Sequence, residues 1–178
     1  MKIAIIAGSG NLPVQIATQN KEVFVLCIKD YSCPNSFQNK SEIVSLDERE
    51  MGMRAILNFG HTFGHAIETV SGYGAGLHGE AVSIGIEMAC ALSFKIDLLK
   101  LDSFERIKQT LSSLGLPIAA PNLSHSHIDP LIDAIKLDKK VKDGQLNFIS
   151  IQEIGKVRIE EGVSEDDVRG VLAQALPN

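Results

Sequence analysis

The chain opens on an unbroken apolar run, Ile3-Ala4-Ile5-Ile6-Ala7, closed by Gly8-Ser9-Gly10, the pattern of a buried strand and a tight turn. Pro13 suits a first helical turn, a short helix reaches about Thr18, and a second apolar stretch at Val23 to Ile28 reads as another strand. This predicts one short Rossmann-like β-α-β unit over residues 1–38, too small to cover both faces of its own sheet. The polar stretch from Asp30 to Asn39, with Cys33-Pro34-Asn35, reads as a linker and sets a seam at residue 39. Beyond it the pattern turns helical. Asn58 is read as the N-cap of a helix over residues 60–70, Ser71 to Gly76 as a glycine-rich connection, and His78 as the start of a long helix. Gly85 falls inside that helix, where it costs about 1 kcal/mol relative to Ala unless close packing requires it. Further helices are predicted at residues 102–114, 128–137 and 164–176, the first stopped by Gly115 and Pro117 and the last opened by Ser164 with Asp167 as a loose capping arrangement. Leu146 to Ile151 reads as a strand pairing with Val157 to Ile159 across residues 153–156. The fold class is therefore mainly α, a helical domain over residues 39–178 behind a small β-α-β fragment.

Composition narrows the field. In 178 residues, 44% are apolar, 22% charged and 5% aromatic, with no Trp, so an aliphatic core must carry the fold. A net charge of −5, with no basic cluster, excludes a nucleic-acid footprint. The longest apolar stretch, around Ala81 to Phe94, contains Glu87 and falls short of the roughly 18 uninterrupted apolar residues of a membrane span. No secretory signal pattern follows Met1, and Cys27, Cys33 and Cys90 have neither the even count nor the spacing of a disulfide or metal framework. A cytoplasmic protein is expected.

The candidate chemistry is concentrated in histidine. Three of the five histidines lie between positions 61 and 78. His61 and His65 are four apart, so a helix puts both imidazoles on one face, and His78 follows after the glycine-rich connection. Neutral imidazole is a common ligand of divalent transition metals. A zincin helix requires Glu directly after its first histidine, and Thr62 stands there, so this is not a metalloprotease motif. Lys40, Arg54 and Asn58 nearby suit an anionic, hydroxylated small molecule, since Arg forks onto carboxylate or phosphate oxygens. The bland reading is that Arg54 and Lys40 only solvate a helix surface. His125 and His127, on either side of Ser126, read as loop or capping residues.

The ordered run of Lys40-Ser41-Glu42-Ile43-Val44, Asp47-Glu48-Arg49-Glu50, Arg54 through Glu68 with its Gly60-His61-Thr62-Phe63-Gly64-His65, Gly72-Tyr73-Gly74, Leu77-His78-Gly79-Glu80, Gly115-Leu116-Pro117 and Asp138-Lys139-Lys140-Val141 resembles the C-terminal part of 3-dehydroquinate synthases, over residues 40–151. The resemblance implies a mostly helical domain with His61 and His78 as metal ligands and His65 beside the substrate for proton transfer or phosphate contact. It also implies Lys40, Arg54, Leu57 and Asn58 lining the substrate pocket and one of Lys139 and Lys140 reaching a phosphate. The implied reaction is phosphate elimination and cyclisation of 3-deoxy-D-arabino-heptulosonate 7-phosphate in the shikimate pathway, with NAD and a divalent metal, zinc or cobalt.

That family also uses an NAD-binding domain and a glutamate ligand upstream of the segment matching Lys40, and neither has a counterpart here. The expectation is an incomplete synthase, whose two-histidine metal site binds weakly unless Glu68, Glu80 or another chain adds a ligand. Residues 2–13 with Ile16-Ala17 and Val23-Phe24-Val25 instead resemble the start of UDP-2,3-diacylglucosamine pyrophosphatases. Gly8-Ser9-Gly10 lacks the third glycine of a dinucleotide fingerprint, Pro13 standing in its place, so NAD is not assigned to this fragment. Two alternatives to the synthase are a non-catalytic remnant that binds metal or anions, and a nucleotide-sugar-binding fragment. The partners expected are a phosphorylated small molecule, neither nucleic acid nor membrane, and a second copy or a partner chain supplying the missing domain.

Overall fold

The computed structural model describes residues 58–72, 77–138 and 146–177. The β-α-β unit, the seam at residue 39 and the cysteines Cys27 and Cys33 lie outside them. The described chain runs α1 (His61–Ser71), α2 (His78–Lys95), α3 (Leu101–Ser113), a single 3₁₀ turn (His125–His127), α4 (Ile128–Asp138), the strands β1 (Leu146–Glu153) and β2 (Lys156–Val163), and α5 (Glu165–Ala175). The architecture is mainly helical with one antiparallel hairpin. None of the described helices is long and apolar enough to cross a membrane.

α2 is the central element. Twelve of its eighteen residues are buried, from Ala81 through Ser93, and it packs against α1, α3, β1 and α5. Such a helix is apolar nearly all round because it has neighbours nearly all round. Its contact with α1 is made by backbone. A Cβ on Gly85 would stand 2.1 Å from the Gly60 carbonyl oxygen and 2.7 Å from the Gly64 nitrogen. A Cβ on Gly64 would in turn meet the Ala81 oxygen at 3.2 Å. Close packing is therefore why a poor helix former sits mid-helix at Gly85. The same contact corrects the expected start of α1. Its N-cap is Gly60 at φ 82°, with no side-chain cap, so Asn58 does not cap the helix and is exposed. Gly60 holds a left-handed backbone that few other residues adopt, and it lies against Ile86 besides.

The remaining elements follow local chemistry. Ser164 caps α5, its hydroxyl accepting from the Asp167 N–H at 3.1 Å. α3 ends at Gly115, φ 71°, where the Leu116 N–H bonds back to the Leu111 carbonyl. The hairpin turns through Ile154 and Gly155, the latter at φ 93°, and pairs Phe148 with Glu160 and Ile149 with Ile159; both strands run longer than the apolar alternation predicted. Phe148 is buried and its ring lies 5.2 Å from that of Phe63, which ties the hairpin to α1. His127 accepts from the Ser124 N–H, and His125 Nε2 donates to the Ala173 carbonyl. Both are capping and tethering groups of the 3₁₀ turn.

Candidate functional site

One face of α1 presents His61, His65 and Glu68, successive residues of an i, i+4, i+7 stripe, toward the first residue of α2. The glycine contact between the two helices decides how close they come. His78 therefore meets α1 although the connection between them is glycine-rich, and the three imidazoles form one cluster. Their ring centroids are 5.6 Å apart for His61 and His65, 5.7 Å for His61 and His78, and 5.9 Å for His65 and His78.

Each ring has its own surroundings. His61 is half-buried, and its Nδ1 faces the Phe59 carbonyl oxygen at 3.4 Å. Burial pushes its pKa below the usual histidine value; the Phe59 carbonyl and Glu68 oppose the shift, while His65 and His78 add to it. A neutral imidazole is the form that binds a metal. His78 Nδ1 lies 3.0 and 3.1 Å from the two carboxylate oxygens of Glu68. Glu80, one turn into α2, is occupied differently: its carboxylate accepts the Leu77 N–H at 3.0 Å and so caps the helix.

His65, Glu68 and His78 each offer a ligand atom within 4.8 Å of the others. Two imidazoles and a carboxylate make a donor set suited to a divalent transition metal. His61 is not part of that close group; its ring lies 5.6 Å from that of His65 and 5.7 Å from that of His78, and its burial favours the neutral form. Beside Glu68 opens a pocket of about 270 Å³, lined among others by Ile67, Glu80, Ile84 and Pro117. The Ser83 hydroxyl donates to the Pro117 carbonyl at 2.8 Å and anchors this wall to α2.

Of the residues singled out in the sequence, His61, His65 and His78 are brought together, and Asn58 lies just ahead of the helix, exposed. Lys40, Arg54, Leu57, Lys139 and Lys140 lie outside the described residues. The sequence pattern offers Glu68 only as a stand-in ligand, although its spacing from both α1 histidines marks it as a member of the same stripe. The Phe59 carbonyl was not foreseen, because a backbone acceptor leaves no trace in residue identity.

The family model described as 3-dehydroquinate synthase C-terminal matches residues 2–141. A 3-dehydroquinate synthase of Prochlorococcus marinus is 45% identical over 137 residues, 77% of this chain and 36% of that protein. One from Thermodesulfovibrio yellowstonii is 40% identical over 159 residues, 89% of this chain and 42% of that protein. The chain thus spans well under half the length of these curated relatives. Among solved structures, ValA, a 2-epi-5-epi-valiolone synthase from Streptomyces hygroscopicus with NAD+ and Zn2+ bound, superposes with a TM-score of 0.66 at 24% identity, over 78% of this chain and 37% of that one. A 2-deoxy-scyllo-inosose synthase complexed with carbaglucose-6-phosphate, NAD+ and Co2+ gives 0.68 at 23% identity, over 78% and 40%. At these identities the structural likeness speaks for the fold alone.

Proposed function

The chain belongs to the 3-dehydroquinate synthase C-terminal family, and from that premise we propose that it supplies the metal- and substrate-holding part of a 3-dehydroquinate synthase-type reaction. The observation that carries this reading is the convergence of His61, His65 and His78 at one end of the α1–α2 contact. In it, His61 and His78 hold a divalent metal, zinc or cobalt, and His65 faces the substrate. The metal, when bound, supplies Lewis acidity to a chelated substrate hydroxyl.

The chain's own groups do the rest. His65, on the same face as the ligands, is the group placed to take or give a proton or to contact the phosphate. Asn58 stands at the entrance to α1, and Lys40, Arg54, Leu57 and one of Lys139 and Lys140 complete the grip on an anionic substrate. The substrate is 3-deoxy-D-arabino-heptulosonate 7-phosphate, which loses phosphate and cyclises. NAD, which the family uses, is assigned to no residue of this chain and would come with a partner chain, and the protein works in the cytoplasm. A non-catalytic metal- or anion-binding role is the second reading.

Calorimetric titration of the metal-free chain with zinc and with cobalt separates the two. Submicromolar binding lost in both His61→Ala and His78→Ala is the expected result, and NAD-dependent phosphate release from the heptulosonate phosphate then decides for the enzyme. Weak binding indifferent to both substitutions overturns the metal assignment. Tight binding without turnover leaves the second reading in place of the first.

A further inference from the structure

The two histidines assigned to the metal are held from behind through the same ring atom. His61 Nδ1 faces a backbone carbonyl at 3.4 Å, a long contact, and His78 Nδ1 faces a carboxylate at 3.0 Å. Carbonyl and carboxylate oxygens only accept, so in a neutral imidazole the proton must sit on Nδ1, and Nε2 keeps its lone pair. A histidine free in water prefers the opposite tautomer. What stands behind each ring favours the reverse.

We propose that Glu68 is a positioning residue, whose carboxylate holds His78 as the Nδ1–H tautomer and fixes its ring so that Nε2 is presented to a divalent cation, as the Phe59 carbonyl does for His61. Exposure supports the assignment. The His78 side chain is 47% exposed, so packing against the His61 and His65 rings covers only part of it, whereas Glu68 is 24% exposed and sits on a helix locked against α2 by the glycine contact. A carboxylate behind a ligating imidazole also makes it a better donor.

The rival role is direct ligation, since His65, Glu68 and His78 can bring ligand atoms within 4.8 Å of one another. The two roles exclude each other for one orientation of His78. A cation on Nε2 lies across the ring from the oxygens bonded to Nδ1, beyond the reach of Glu68. Both Glu68 oxygens lie within hydrogen-bond distance of that one nitrogen, which favours the positioning role.

The proposal rests on the metal reading above, and its test is arranged to fail separately. Nitrogen-15 NMR of the metal-free, full-length chain reads the His78 tautomer in the wild type, Glu68→Ala and Glu68→Gln, with thermal melts to confirm that each is folded. The Nδ1–H form is expected in the wild type, the Nε2–H form in Glu68→Ala, and a largely retained Nδ1–H form in Glu68→Gln, which keeps an acceptor. Zinc affinity should then fall by about 10–100-fold in Glu68→Ala and by less in Glu68→Gln, with the visible bands of the cobalt-saturated protein unchanged. A His78 tautomer indifferent to Glu68→Ala overturns the proposal. So do cobalt bands that shift in both variants, which make Glu68 a ligand. A wild-type chain that binds no zinc overturns the metal reading itself and the cation half of this proposal, while the tautomer still decides whether Glu68 sets the ring.

Discussion

The two ends of α2 are joined to their neighbours by different means. At its N-terminal half, against α1, Gly64 and Gly85 meet backbone alone, and Gly60 meets the backbone and side chain of Ile86. At its C-terminal half, against β1, the link is a side chain: the buried Ser93 hydroxyl donates to the Ala89 carbonyl at 2.8 Å and accepts the Ile151 N–H at 3.0 Å. The first contact fixes where His78 meets His61, His65 and Glu68. The second holds the hairpin and carries no candidate chemistry. Rigid contact lies under the site, and adjustable contact lies away from it.

Gly85→Ala is the sharpest attempt to break this contrast. Ala is the better helix former by about 1 kcal/mol, yet its Cβ would stand 2.1 Å from the Gly60 oxygen, so the helices must part. A net loss of about 3 kcal/mol, the upper end of ordinary overpacking, is expected in chemical denaturation, together with loss of zinc binding. An unchanged midpoint would mean that the glycine contact is looser than described.

At the other end, Ser93→Ala leaves the Ile151 N–H without its partner and should cost about 1–3 kcal/mol. Zinc affinity should hold, because the change lies at the far end of α2 from His78. A fall in affinity equal to that of Gly85→Ala would erase the distinction between the two ends.

The smallest expected effect concerns Glu87, buried on α2 and paired with Lys108 of α3 at 3.6 Å. Burial raises its carboxyl above the ordinary 4.5, Lys108 pulls it part of the way back, and Glu105 adds to the rise. With the folded pKa the higher one, the native state is favoured below about pH 4.5 and loses that advantage as pH rises through the folded value. Glu87→Gln should therefore raise the melting temperature slightly at pH 7, and the gain should vanish near pH 4. A loss at pH 7 would show that the Lys108 pair outweighs desolvation.

Much of the helical domain is legible in the order of residues. Ser164 announces α5, Gly115 and Pro117 end α3, and His78 opens α2 as expected. These signals are local, a side chain or a backbone preference acting within one turn. Asn58 failed as a cap for the same reason in reverse. Its residue type suits the role, but the entry to α1 is set by what Gly60 must touch, Ile86 on another helix, and by the left-handed backbone it adopts there. The site divides along the same line. The spacing of His61 and His65 gave one shared face, and the family pattern added His78, while the acceptors behind the rings and the capping use of Glu80 were hidden.

The sequence by itself determined that this chain is mainly helical, that three of its histidines fall within one short stretch, and that it belongs to a family whose relatives are 3-dehydroquinate synthases. Helical periodicity and residue type are properties of neighbours along the chain. Only the tertiary structure decided which nitrogen of His61 and of His78 faces an acceptor, that Gly85 is required, and that Glu68 stands behind His78. Those depend on distances between separate helices, which three missing side chains at Gly60, Gly64 and Gly85 allow to close to backbone contact.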